Sequence, residues 1–384
     1  MNYRTILLTT GLTLSLAIPS QVFAATETTD ADAAYKKRVE LSRRIKEMKA
    51  IRKALPIPPA SGLFGVYAFP EKGQFVTGIN AQNHKFSGLV QGSNEVSAET
   101  AVTTAPNRFF GKPMQPPTLR VVPTKAEANV LMPFVNYAVN DKFALVGLAP
   151  LIKKETVLET FKGGGGTSSL GTNTVSSQGL GDVKFGFLYK AYNEVNRKHN
   201  VIIDAVLSAP TGSITESDKN LTPMGTMVDT RLGYGMQLGS GTWDALLGVA
   251  YWGKENKIGW GAQYLATIPL ESENSEGWSY GDKHEGTAWL SYEWKPTFVS
   301  SVRLRHETQG EVEGIDPKIF GPGLGANPDN YGGTRTEALF GVNWMYKPAR
   351  NLGLEIALPV AEDRNGIQAS HQRSIMISWR NAFF

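Results

Sequence analysis

The 384-residue chain contains no cysteine, which excludes disulfide stapling and thiolate metal sites. Its mean hydropathy of −0.22 is too low for a helical membrane protein, and no apolar run beyond residue 24 is long enough for a spanning helix. A large excess of one charge is absent too. The net charge is +4, much of it near the N-terminus, so nucleic acid is not an expected partner. Catalytic motifs are missing. The five histidines, His84, His199, His284, His306 and His371, form no H-E-x-x-H pattern, and there is no G-x-S-x-G elbow. Gly163–Gly166 lacks the lysine of a phosphate loop and reads as an external loop. Asp316, Asp329 and Asn330 have no specific metal spacing. No catalytic residue, metal or cofactor is expected, and the chain reads as a non-enzyme.

What is present begins with a secretory leader. Arg4, the apolar stretch Ile6–Ile18 and the small-x-small site Val22-Phe23-Ala24 predict cleavage before Ala25. Residues 25–33 are polar. Residues 34–55 predict a helix with Leu41, Ile45, Met48 and Leu55 on one face, nine Lys/Arg against two Glu, and a stop at Pro56, Pro58 and Pro59. A solvated periplasmic helix is the favoured reading. Self-association, a periplasmic partner, a lipid contact or a plug are the alternatives; Arg38 and Arg52 on the seam weaken a coiled coil.

The remainder, 60–384, alternates apolar and polar residues between Gly, Asn, Asp and Pro clusters. Twelve strands are predicted at 74–86, 127–139, 141–154, 179–192, 198–211, 238–253, 258–270, 284–295, 298–309, 334–347, 352–361 and 369–384. Fourteen is the alternative if another strand lies in 87–126. Short turns then share one end with both termini. The long segments 87–126, 155–178, 212–237, 271–283 and 310–333 share the other, with 228–238 assigned to an outer loop. The fold class is all-β, an antiparallel transmembrane β-barrel in the outer membrane, with a short N-terminal periplasmic helix.

Alternation separates two faces. Phe185, Phe187, Leu290, Tyr292, Val302, Leu304, Phe340, Val342, Leu354 and Ile356 belong to the lipid face, and Trp294, Trp344, Tyr346 and Trp379 to an aromatic girdle at the turn end. The opposite register holds Lys184, Lys190, Asp204, Asp244, Glu285, Trp289, Glu293, Arg303, Arg305, Glu307, Glu337 and Glu355. These are the expected lumen-lining residues. Their mixed sign fits a paired interior as well as a conducting one. Phe109 and Phe110, in the long 87–126 segment, are assigned to a loop constriction.

Four pieces carry a family resemblance: Gly179-Leu180-Gly181-Asp182, Ala209-Pro210-Thr211-Gly212, Gly239-Ser240-Gly241-Thr242-Trp243-Asp244, and Gly281-Asp282 before Thr287-Ala288-Trp289. Together they resemble the outer-membrane transporter family named after meta-pathway phenol degradation, over roughly residues 60–384. The resemblance implies a barrel admitting small, often aromatic or hydrophobic, compounds, and carries over no binding residue. The helix at 34–55 lies outside it. The expected function is passive uptake of such solutes, with outer-membrane lipid and a small-molecule solute as partners. The alternatives are a barrel enzyme acting on lipid, and a structural or adhesion barrel with a periplasmic partner.

Overall fold

The computed structural model describes residues 32–44, 62–66, 69–194, 198–347 and 349–383. The chain divides into two units, Met1–Lys53 and Ala54–Phe384. In the first, residues 32–44 form an exposed helix in which Arg43 and Arg44 both donate to Glu40 at 3.3 Å. The leader, residues 45–55 of the predicted helix and the terminal Phe384 lie outside the described residues.

The second unit is a closed barrel. Its strands are β1 Phe75–Gly92, β2 Val121–Ala138, β3 143–161, β4 169–193, β5 His199–Ser208, β6 Asp244–Glu255, β7 Ile258–Pro269, β8 Lys283–Lys295, β9 Phe298–Gln309, β10 Gly333–Lys347, β11 350–364 and β12 367–383. Ala149-Pro150 interrupts β3, and Gly181-Asp182-Val183 interrupts β4. The last extended stretch supplies two strands. Residues 350–364 pair with β10 and residues 367–383 with β1, on either side of Asn365-Gly366. Gly366 there has φ 56°, a left-handed conformation that glycine adopts without steric cost. Each strand is antiparallel to the next, and β1 pairs with both β12 and β2, so the wall has no free edge at the turn end.

The twelve-strand count therefore agrees with the pattern, while several boundaries do not. Residues 87–92, 121–126, 155–161 and 169–178 are strand rather than loop. Their polar sequences lack apolar alternation because only one stretch of each strand has to face lipid. Residues 227–231 pair with 217–221 in a separate ribbon within an outer loop, and residues 238–243 are not strand.

The two faces separate as the alternation predicts. Val302, Leu304, Phe340, Leu290 and Leu358 are exposed on the outside, whereas Arg303, Glu307, Trp289, Glu337 and Glu355 are buried within. A polar exterior could not sit in lipid, where a midplane charge costs about 2–4 kcal/mol. At the turn end the girdle is hydrogen-bonded. Trp294 Nε1 donates to Ser300 Oγ at 2.9 Å and Trp379 Nε1 to the Tyr346 hydroxyl at 2.8 Å. His284 and His306, both on the outward register, bond Tyr264 and Thr336 at 2.7 and 2.9 Å.

Candidate functional site

Three layers occupy the axis of the barrel. The first is a strap that the strand pattern overlooked. Leu63, Phe64, Val66 and Phe69 precede β1, yet they pack against Ala138, Val146, Leu188, Ile202, Val206, Trp252 and Trp289 on the inner wall of β2–β8. Gln263 Nε2 donates to the Phe64 carbonyl at 2.5 Å, and the Lys190 ammonium sits 4.1 Å above the Phe69 ring. The available signal was the apolar run Leu63-Phe64-Gly65-Val66 between Pro59 and Pro70, too rich in apolar residues for a solvated linker. Gly65 has φ +69°, and a Cβ there would lie 2.3 Å from Asp204 Oδ1. Asp204 is 1 % exposed, and neither carboxylate oxygen has a hydrogen-bond partner among the described residues.

The second layer is a set of ion pairs on the inner wall of β8–β11. Arg303 reaches Glu355 across β10, with Nη2 donating at 2.5 Å. Arg305 pairs with Glu337, and lies 3.9 Å from Glu285. Glu307 receives Lys283 at 2.8 Å and Arg335 at 3.4 Å. Lys254 pairs with Glu293 across β7. Lys184 donates to Ser208 Oγ at 2.8 Å. Of the residues assigned to the lumen, Arg303, Arg305, Glu285, Glu293, Glu307, Glu337 and Glu355 lie in these ion pairs, whereas Lys184 bonds a serine, Lys190 sits over an aromatic ring, and Asp204 has no hydrogen-bond partner among the described residues. Trp289 is buried against the strap cluster. Asp244 is placed differently: it accepts from Thr242 Oγ1 at 2.6 Å and Ser240 Oγ at 3.1 Å, inside a knot rather than along the bore.

That knot gathers three of the sequence pieces behind the family resemblance. Asp182 accepts the Gly212 amide at 2.9 Å and the Ser240 amide at 2.8 Å, and Thr211 Oγ1 donates to the Gly181 carbonyl at 2.9 Å. The backbones of Gly212 and Gly239 approach so closely that a Cβ on Gly212 would stand 2.7 Å from Gly239 Cα. The junction lies where the loop-end half of β4, Ser169–Leu180, pairs with β3 but with no further barrel strand. The motifs therefore hold a seam in the wall.

The third layer is a cap built from the long loops. The cap helix Ala98–Thr104 starts at Ser97, whose Oγ accepts the Thr100 amide at 3.1 Å. It packs with Leu89, Leu119, Phe161, Leu324 and Ile367. Arg120, fully buried, donates to the carbonyls of Leu119, Lys162, Gly166 and Val102 at 2.6–3.1 Å, joining three segments. A second cluster unites Phe109, Ile214, Tyr234, Trp278, Val312 and Ile319. Burial pushes the Tyr280 and Tyr331 phenols up, so both stay neutral. Phe109 packs on Phe320 with ring centroids 4.7 Å apart and planes tilted by 58°, whereas Phe110 is 65 % exposed. Asp316 is consumed by Arg231 at 2.9 Å and Asp329 lies against Arg108 at 3.1 Å, so the two acids serve separate contacts. The Lys318 ammonium bonded to Glu276 at 3.0 Å, together with Arg231, holds that carboxyl below its usual range.

Between the cap and the loop ends of β2–β4 lies a cavity of about 190 Å³. Leu158, Val175, Leu232, Met236, Phe320 and Leu324 form its apolar wall, and Asn220, Thr222, Thr230 and Arg231 its polar margin. No sequence pattern marked these residues, because five separate segments supply them.

No family model and no curated protein matches the chain. Solved structures do. The COG4313 outer membrane channel from Pseudomonas putida F1 is 16% identical with a TM-score of 0.53, over 84% of this chain and all of that one. The likeness is one of fold. The P. putida toluene transporter TodX is 12% identical with a TM-score of 0.40, over 82% and 91% of the two chains. A Pseudomonas aeruginosa FadL homologue is 9% identical with a TM-score of 0.38, over 82% and 93%.

Proposed function

We propose that this chain is an outer-membrane channel for passive uptake of small hydrophobic molecules, single-ring aromatics among them. The observation that carries this reading is the cavity of about 190 Å³ beneath the cap, with an apolar wall and a polar margin. Roughly 150 Å³ of dry apolar space suffices to bind benzene. The outward apolar face and turn-end girdle support a membrane barrel, and the neighbour of like fold is described as an outer membrane channel. In this reading the turn end faces the periplasm and the cap faces outside. A solute is desolvated in the cavity, passes the paired charges and leaves by displacing the strap. Diffusion down a gradient needs no nucleophile and no cofactor.

Single-channel conductance of the refolded full chain in a planar bilayer, with and without toluene, tests it. The expected result is a small steady conductance that toluene partly blocks, with the block lost in Met236→Trp, which fills the cavity. A folded, heat-modifiable barrel whose conductance toluene leaves unchanged would overturn the reading.

A further inference from the structure

Three residues from two strands of the wall, β10 and β12, meet in a serine–histidine–carboxylate relay. Ser374 Oγ lies 2.9 Å from His371 Nε2, and His371 Nδ1 lies 3.1 Å from Glu337 Oε1, within ion-pair distance but not aligned as a hydrogen bond. This is the order and spacing in which a hydroxyl is activated for acyl transfer. All three side chains point inward and are buried, with Ser374 the most accessible at 7 %.

The backbone is shaped to bring them together. Residues three apart on a regular strand face opposite sides. A β-bulge resolves this: Lys85 opposes Arg373 while Phe86 opposes His371, leaving Gln372 as the extra residue and turning His371 and Ser374 to the same side. A second irregularity lies opposite Glu337, where Thr336 pairs with Ala361 and Glu337 with Pro359. Arg305 and Arg335 both approach Glu337 Oε2. They orient the carboxylate and leave Oε1 for the imidazole. His84 Nδ1 stands 2.6 Å from the same Ser374 Oγ, and its Nε2 is 3.1 Å from Gln82 Oε1. Since Gln82 Oε1 can only accept, His84 presents a lone pair to the serine; His371, its Nδ1 turned to a carboxylate, presents one too. One hydroxyl proton thus faces two bases.

The relay sits on the inner wall beside the ion pairs. Arg305, which holds Glu337, is two residues nearer the loop end than Arg303, about 7 Å along the strand. Arg303 in turn touches the strap, since a Cβ on Gly62 would lie 2.6 Å from its Nη2.

We propose that Ser374, His371 and Glu337 form a hydrolytic site in the lumen for small carboxylic esters. Ser374 Oγ attacks the ester carbonyl carbon as its proton passes to His371 Nε2. The tetrahedral adduct expels the alcohol, which leaves with that proton, and the acyl group stays on Ser374. Water then attacks the acyl-serine by the same route, releasing the acid and restoring the hydroxyl. The sum is ester plus water to acid plus alcohol. Ser374 and His371 are the catalytic residues; Glu337 is a positioning residue.

The test is labelling of the refolded full chain with a fluorophosphonate, the adduct mapped by mass spectrometry. It is repeated on a variant lacking residues 62–66, which opens the strap. The expected result is one adduct on Ser374, faster in the strap variant and absent in Ser374→Ala. Hydrolysis of p-nitrophenyl acetate should fall by at least about 10³-fold in Ser374→Ala and His371→Ala. Glu337→Gln should lower kcat with KM unchanged and displace the acidic limb of the rate–pH profile, which a purely structural role would not do. No adduct on Ser374 in either protein, or an adduct only elsewhere, with heat-modifiable migration intact, would overturn the proposal.

Discussion

The inner wall is two unlike halves. On β2–β7 it is mainly apolar and lies under the strap, with Val146, Leu188, Ile202, Val206 and Ala250 in one cluster and Lys184, Lys190, Asp204 and Lys254 set among them. On β8–β11 it carries Lys283, Arg303, Arg305, Arg335, Glu307, Glu337 and Glu355 in mutual pairs. Both halves stabilise one barrel, by different means. The apolar half gains by removing side chains from water. The charged half gains little net from each pair, because desolvation offsets most of the attraction, yet it cannot lose one partner without stranding the other. A solute would therefore pass between a greasy wall and a polar one, each complete without it.

The sharpest test of this contrast removes one partner of the most buried pair. Arg303 and Glu355 have side-chain exposures of 1% and 3%. Arg303→Ala should destabilise the barrel by about 3–5 kcal/mol. The double variant Arg303→Met, Glu355→Leu should recover most of that loss. Urea unfolding followed by the heat-modifiable gel shift reads both, and a double variant as weak as the single would show that the pair itself is strongly net stabilising.

Asp204 breaks the pattern from the other side, being an acid in the apolar half with no hydrogen-bond partner among the described residues. Asp204→Asn keeps the shape and removes the charge, so it should raise stability by about 1–3 kcal/mol in the same assay. A loss of stability would mean that the carboxylate is satisfied by ordered water. Its neighbour Gly65 offers a smaller change with a functional readout. Gly65→Ala places a Cβ against Asp204 and adds about 1–2 kcal/mol of left-handed backbone strain. The strap should lift, and single-channel conductance should increase while the barrel stays folded.

The difference between the halves also explains what the sequence disclosed. Arg303, Arg305 and Glu307 alternate with Val302, Leu304 and His306 because lipid and lumen impose opposite demands at a period of two. The strand count and the facing of the wall were therefore legible. The strap was not, since no local period says that Leu63, Phe64 and Val66 face a wall assembled from β2–β8. Loop-end extensions such as Ser169–Leu180 read as loop because their alternation fades. The cavity and the relay were illegible for a related reason. Five segments meet at one, and a single bulge at Gln372 turns His371 and Ser374 together at the other.

The smallest expected effect belongs to the girdle, where the two halves do not differ. Trp294 is 60 % exposed and its indole donates to Ser300 Oγ at 2.9 Å. Trp294→Phe keeps an aromatic ring and deletes that one bond, so the loss should be about 0.5–1.5 kcal/mol. On the apolar side Trp260 donates to the Tyr251 hydroxyl at the longer distance of 3.4 Å, and Trp260→Phe should cost less. Equal costs for the two, measured by urea unfolding in the same lipid, would show that the ring's place at the interface, rather than its hydrogen bond, carries the anchoring energy. A larger loss at Trp294 would place that energy in the bond between β8 and β9, and so within the charged half after all.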